Sequence, residues 1–176
     1  MNEIPNVLEA NEKIIWDGKP KYSAFMASAL IGGLIILVFF SIFFYFNKNF
    51  LFLLLGMILF SLSVVLTHLT YKVTHYAITN KRVIFQSGII GRDFTFVDYD
   101  KVQNATVDRG LIDVLFKTGS IKIFSGKIGS KVIRIGKGSR VVTTPLYDTI
   151  KYIPNVYEIF RILQDSLSKR KESLYK

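Results

Sequence analysis

Two uncharged apolar runs constrain this chain more than any other feature. The first, YSAFMASALIGGLIILVFFSIFFYF, occupies Tyr22 to Phe46, and the second, FLFLLLGMILFSLSVVLTHLT, occupies Phe50 to Thr70. At about 1.5 Å of rise per residue, each run makes a helix long enough for the ~30 Å hydrocarbon core of a bilayer. Only Asn47, Lys48 and Asn49 separate them. Three polar residues can reverse two antiparallel helices but cannot form a domain. Lipid offers no partner to free backbone groups, so that turn has to reach the far headgroups. A cleaved leader fits poorly, because the polar lead is long and a second span follows at once. The runs therefore imply a transmembrane hairpin over 22–70, a lead segment over 1–21 and a second domain over 71–176.

Charge sets the orientation. Lys13, Lys19 and Lys21 precede the first run, Lys72, Lys81 and Arg82 follow the second, and the turn carries only Lys48. The positive-inside rule then puts both termini in the cytoplasm, with the hairpin in the plasma membrane. The formal net charge is +10. Residues 1–71 cancel, with four lysines against Glu3, Glu9, Glu12 and Asp17. The remaining 19 of 23 basic and 9 of 13 acidic side chains all lie in 72–176. A basic domain held beside a membrane points to anionic lipid or an acidic partner.

Small residues recur at four-residue spacing in the first run, Ser28 with Gly32 and Ala29 with Gly33. They serve either packing within the hairpin or association between hairpins. His68 reads as an interfacial polar residue rather than a proton relay, since no other ionisable group lies in the runs. Trp16, in IIWDGKP, reads first as an interfacial anchor and second as a residue packed onto the cytoplasmic domain.

From Lys72 onward the hydrophobic period becomes two. VTHYAIT, RVIFQ, DFTFVDY and VQNATV read as successive antiparallel strands, with Asn80-Lys81 as a tight turn in which Asn can take a left-handed backbone. GLIDVLF carries Leu111, Val114 and Leu115 at helical spacing, which predicts one turn of helix packed on the sheet and ended by Gly119. SIKIFS and VVTTPLYDTI resume the alternation. NVYEIFRILQDSLSKRKE has Val156, Ile159, Phe160, Leu163 and Leu167 on one helical stripe, opened by a capping-box-like Asn155 and Glu158. Every strand and the closing helix are thus expected after Lys72, so that residues 72–176 fold alone.

Six to seven meandering strands capped by a C-terminal amphipathic helix resemble a pleckstrin-homology-like (PH-like) antiparallel barrel or sandwich. The residues themselves resemble the bacterial and archaeal PH-like membrane proteins of the YdbS/YdbT-like group, over YAITNKRVIFQSGIIGR, DKVQNATVDRGLIDVLFKTGSIKIFSG and DTIKYIPNVYEIFRIL. EKIIWDGKP followed by a two-span hairpin fits as well. The stretch from Lys127 to Arg140 departs from that resemblance, being longer and more basic. What the resemblance implies is a membrane-tethered PH-like module without established chemistry.

The residues point away from an enzyme. There is no GxSxG elbow. A Walker A loop fails at Gly136-Lys137, where Lys131 occupies the first glycine position and Gly138 the Ser/Thr position. With no cysteine and two histidines, no thiolate or histidine metal site is available. Asp98, Asp100, Asp108 and Asp113 fall in separate turns beside basic residues and read as solvated or salt-bridged. No cofactor is implied. The remaining candidates are Lys127, Lys131, Arg134, Lys137 and Arg140, in one glycine-bearing hairpin. They form a solvated face, a contact for anionic headgroups or, least favoured, a nucleic-acid contact, for which the hairpin lacks interleaved aromatics. Two functions stand: a membrane-anchored scaffolding module that binds a protein partner or itself, and a module that recognises anionic headgroups through this hairpin.

Overall fold

The structure, a computed structural model, describes residues 2–91, 93–135 and 138–174, and the side chains of these outside 131–141 and 173–174. Two helices, α1 (Tyr22–Asn47) and α2 (Phe50–Val73), form the hairpin. Lys48 reverses the chain with φ +53°, and its N–H donates to Phe44 O. The Asn49 side chain caps α2 by accepting the Leu51 N–H at 3.0 Å. Gly33 lies under the Phe60 ring and Gly56 against Phe40, where a Cβ would fall 2.8 Å from the neighbouring side chain in each case. The Ala29–Gly33 side of the small-residue pattern therefore serves the hairpin itself, while Gly32 faces open space. Both helices are long and apolar enough to cross a membrane, and protein covers little of either.

Seven strands form two antiparallel sheets. The first has the order β1 (Ile14–Gly18), β2 (His75–Thr79), β3 (Arg82–Ser87), β4 (Asp93–Asp98). The second has β5 (Asn104–Asp108), β6 (Gly119–Ile135), β7 (Gly138–Ile153). A short helix α3 (Leu111–Phe116) joins β5 to β6, and α4 (Val156–Leu174) follows β7. Tyr76, Ile78, Val83 and Val97 from the first sheet meet Ile121, Ile123, Ile150 and Ile153 from the second. Val156, Ile159 and Leu163 of α4 are buried in the same core, with Phe160 and Leu167 packed at its margin, as the helical stripe predicts. This is a PH-like sandwich closed by a C-terminal helix.

Several expectations change. Not every strand follows Lys72: β1 comes from the lead segment and pairs with β2 through Trp16↔Ile78 and Gly18↔Tyr76. Trp16 packs against the core, so the second of its two readings holds. β2 is buried on both faces, because a 3-10 turn at Ile4–Val7 lies over the outer one. Ile4 is fully buried there with Ala77 and Ile84. Pairing across some 60 residues has no local signature, which is why a five-residue strand beside an apolar run reads as a membrane anchor.

The turns also differ in detail. Asn80 is not among the left-handed residues. Its side chain instead accepts the Lys13 N–H at 2.8 Å and donates to Asn11 O at 3.2 Å, and the Thr79 hydroxyl accepts the Lys81 and Arg82 N–H groups. Asn155 has φ +49°, whereas an N-cap whose side chain bonds the first turn has an extended backbone, so the expected capping box gives way to a left-handed approach to α4. Lys117, at φ +54°, ends α3 in place of Gly119. Gly119 is needed for another reason: a Cβ there would lie 2.6 Å from Val156 Cγ1, so its lack of a side chain lets α4 approach β6. Finally, α3 does not lay its apolar residues on the sheet; Leu111, Val114 and Leu115 are all exposed.

Candidate interaction surfaces

β6 is a single 17-residue strand that merges two segments expected to be separate. β5 covers it only from Ser120 to Phe124. A register break follows at Phe124/Ile128, where Gly126 takes φ +80°. From Ile128↔Pro145 to Ile135↔Gly138, β6 and β7 pair with each other, and no third strand flanks them among the described residues. These eight pairs make a two-stranded arm about 25 Å long. The end of these strands opposite the arm is near the hairpin: the Tyr152 carbonyl, seven residues beyond Pro145 in β7, accepts the Lys21 N–H at 2.7 Å just before α1. The arm tip is at the other end of the same strands.

Of the five basic residues expected at this site, the structure places Lys127 at the root of the arm, with Nζ 2.9 Å from Asp148 Oδ2. Lys137 and the side chains of Lys131, Arg134 and Arg140 lie outside the described residues. The sequence between Asp113 and Asp148 holds seven basic residues and no acidic one. Beside Lys127, the rings of Phe124 and Tyr147 pack 5.5 Å apart, and Tyr147 is exposed.

Several other charged groups pair with one another within the domain. Arg82 donates through Nε and Nη2 to the two oxygens of Glu12 at 3.1 and 3.0 Å, and its Nη1 is 3.0 Å from Glu9 Oε1. Its guanidinium lies over Phe96 at 4.3 Å. Burial alone would push the Glu12 carboxyl up. The Glu9 N–H, the Thr79 hydroxyl and Arg82 together outweigh that and hold it below the usual range. The cluster clasps the lead segment to the β2–β3 turn. Asp98 pairs with Lys101, Asp108 with Lys122, and Asp100 with Arg170 of α4 at 3.0 Å. The Arg170 hydrogen bonds keep the Asp100 carboxyl low, and Lys122 does the same for Asp108. Asp113 accepts the Thr118 hydroxyl and the Gly110 N–H. Asp98, Asp100 and Asp108 are thus salt-bridged as the sequence suggests, whereas Asp113 is buried in α3 and held by neutral hydrogen bonds instead. Burial pushes the hydroxyls of Tyr76 and Tyr99 up to about 12, so both stay protonated at neutral pH.

At the junction of helices and sandwich, Tyr22 packs edge-on to Tyr71 and His68, and Phe25 meets Tyr152. His68 meets the Tyr22 ring edge-on, with its Nδ1 3.4 Å from the Tyr22 hydroxyl. A groove of about 240 Å³ lies here between Ser28, Thr67, Thr70 and Lys151. Sequence reasoning missed two exposed apolar features near this junction, α3 and the turn at Ile89-Ile90. The Ser-Gly and Gly punctuation of Ser87-Gly88-Ile89-Ile90-Gly91 hides the second, and helical spacing made the first look like core.

The model of the bacterial PH domain family matches residues 23–151, from the start of α1 nearly to the end of β7. The chain belongs to the bacterial PH domain family. The match takes in both apolar helices and leaves out β1 and α4. No match was found among curated proteins or among solved structures. A bacterial PH domain joined to two membrane-spanning-capable helices fits a membrane-associated PH-like module.

Proposed function

We propose that this chain spans the plasma membrane twice, with both termini cytoplasmic, and serves as a non-enzymatic interaction module whose β6–β7 arm engages a protein partner of acidic surface. The observation that carries this reading is the arm itself. It extends eight residue pairs past the cover of β5, leaves both strand edges unpaired among the described residues, and belongs to a stretch with no acidic residue. Open edges accept a further strand by backbone pairing, and uniform positive charge selects an acidic partner and speeds encounter. The end of β7 opposite the arm lies beside α1, and the arm points away from that end, which favours a partner in the cytoplasm over the adjacent headgroups.

The test is site-specific photocrosslinking in native membranes. A crosslinker at Thr144, on the arm, is expected to give a discrete protein adduct that disappears when Lys131, Arg134 and Lys137 are changed to Glu. The same label at Asp165, on the exposed side of α4, is expected to give none. Adducts to lipid alone would favour the second reading, in which the basic residues Lys127, Lys131, Arg134, Lys137 and Arg140 meet anionic headgroups. That reading is supported by the concentration of the net charge in residues 72–176. It calls for salt-sensitive binding of acidic liposomes that is lost on the same charge reversal. Topology is checked separately: cysteines at Asn49 and Ser168 are expected to label from opposite sides of intact cells, and labelling from one side would defeat the two-span arrangement.

A further inference from the structure

Among the described residues nothing covers the apolar surface of α3 and the β3–β4 turn, and its position identifies what can cover it. α3 is held to the sandwich by one side only. Asp113 is buried and bonded to Thr118 and Gly110, while Leu111, Val114 and Leu115, at i, i+3 and i+4, share the opposite side. They are 91%, 60% and 76% exposed. The end of α3 is tied to the start of α1, since Lys21 Nζ donates to Phe116 O at 2.9 Å. α1 and α3 are neighbours in space. Lys21 directly precedes Tyr22, whose ring belongs to the aromatic group at the cytoplasmic ends of both helices. Three large aliphatic side chains thus stand at the level where aromatic belts meet headgroups.

The β3–β4 turn repeats the arrangement beside α2. β2 begins two residues after α2 ends, and His75, its first residue, pairs with Gln86. β3 therefore runs back toward α2 and packs beside it. The turn beyond Ser87 overshoots that level. Gly88, at φ +95°, and Gly91, at φ +106°, fold it tightly and leave Ile89 and Ile90 at its tip, with Ile90 99% exposed. A soluble turn gains nothing from two adjacent isoleucines in water.

We infer that α3 and the Ile89-Ile90 turn are immersed in the interfacial layer of the same bilayer that holds α1 and α2, so that the sandwich is docked on the membrane at two points and its arm is aimed in a set direction. The inference rests on the reading of α1 and α2 as spans. Its occupant is lipid because α3 packs beside the start of α1 and β3, which leads to the turn, packs beside α2. Basic residues border the apolar groups, Arg109 and Lys117 around α3 and Lys72 at the end of α2, as in segments that lie in an anionic interface.

The chain has no cysteine, which permits a direct test with the full protein in nanodiscs containing phosphatidylglycerol. Single cysteines at Leu115, Ile90, Thr144 and Ile35 are labelled with an environment-sensitive fluorophore. Ile35, midway along α1, reports the span, and quenching there by deep nitroxide lipid establishes it independently. Leu115 and Ile90 are expected to be quenched by shallow nitroxide lipid and protected from aqueous iodide, while Thr144 shows the reverse. If Ile35 is quenched but either Leu115 or Ile90 behaves like Thr144, two-point docking is overturned although the span stands. Protection from iodide without quenching by lipid would mean that protein, a second copy included, covers the surface, and would overturn it too. Failure at Ile35 itself removes the span reading and the inference with it.

Discussion

In the first sheet, β2 has the core on one side and the Ile4–Val7 turn on the other, and Glu12 and Arg82 clasp its turn. In the second sheet, β6 and β7 run eight pairs beyond the last residue that β5 covers. The two sheets have similar local chemistry, alternating β-branched residues with polar ones, yet one is closed and the other projects. Burial of β2 on both faces ties the first sheet to the stability of the whole sandwich. The projecting arm adds little to the core and is free to serve recognition. The difference implies that changes in the first sheet are read as unfolding and changes in the arm as altered binding.

The sharpest way to break that comparison is to remove the lead segment. A fragment beginning at Lys72 lacks β1, exposes the β2 edge and uncovers Ala77 and Ile84. It is expected to lack the cooperative melt expected of the full chain in detergent micelles; a cooperative transition in the fragment would mean that β1 is dispensable. Next in size is Arg82→Ala, which leaves the Glu12 carboxylate buried without its cation. Such changes cost about 3–5 kcal/mol. Denaturant unfolding should show this loss, and Glu12→Ala in the same chain should restore part of it; an unaltered midpoint would demote the clasp to decoration.

Gly119→Ala tests the approach of α4 to β6. Its Cβ would lie 2.6 Å from Val156 Cγ1, and overpacking of this kind costs about 1–3 kcal/mol. Val156→Ala should recover some of the loss in unfolding experiments, and full independence of the two sites would argue against their contact. A smaller effect follows pH. Because the folded Glu12 carboxyl titrates below its ordinary 4.5, its contribution is complete above that value and is lost as pH falls through the folded value. Glu12→Gln should flatten this part of the stability profile; an unchanged acid limb would assign it to other carboxylates. Smallest of all, Thr144→Ala on the arm should move stability by no more than about 0.5 kcal/mol. A large loss there would erase the distinction between the two sheets.

The hairpin, the meander of strands after Lys72 and the buried stripe of α4 are legible in the sequence because each is a local pattern: an uncharged run, a period of two, a period near 3.6. The same patterns fail where a partner lies far away in sequence. IIWDG carries the alternation of a strand, but nothing in it names β2 as its neighbour across the whole hairpin. Leu111, Val114 and Leu115 have the spacing of a packed helix face, and the spacing is real; only the position of α3 beside Lys21 shows that this face turns away from the sheet. Arg82 and Glu12 look like ordinary surface charges until the fold brings them together. For the candidate site, the sequence supplied the basic composition of residues 127–140, whereas the extent of the arm depends on where β5 stops. Periodicity and charge by themselves determined most of the helices, strands and apolar runs, but not β1 or the outward extension of β6. Tertiary structure decided which faces meet, because burial and pairing between distant segments depend on the geometry of the assembled chain and leave no trace in any short window of residues.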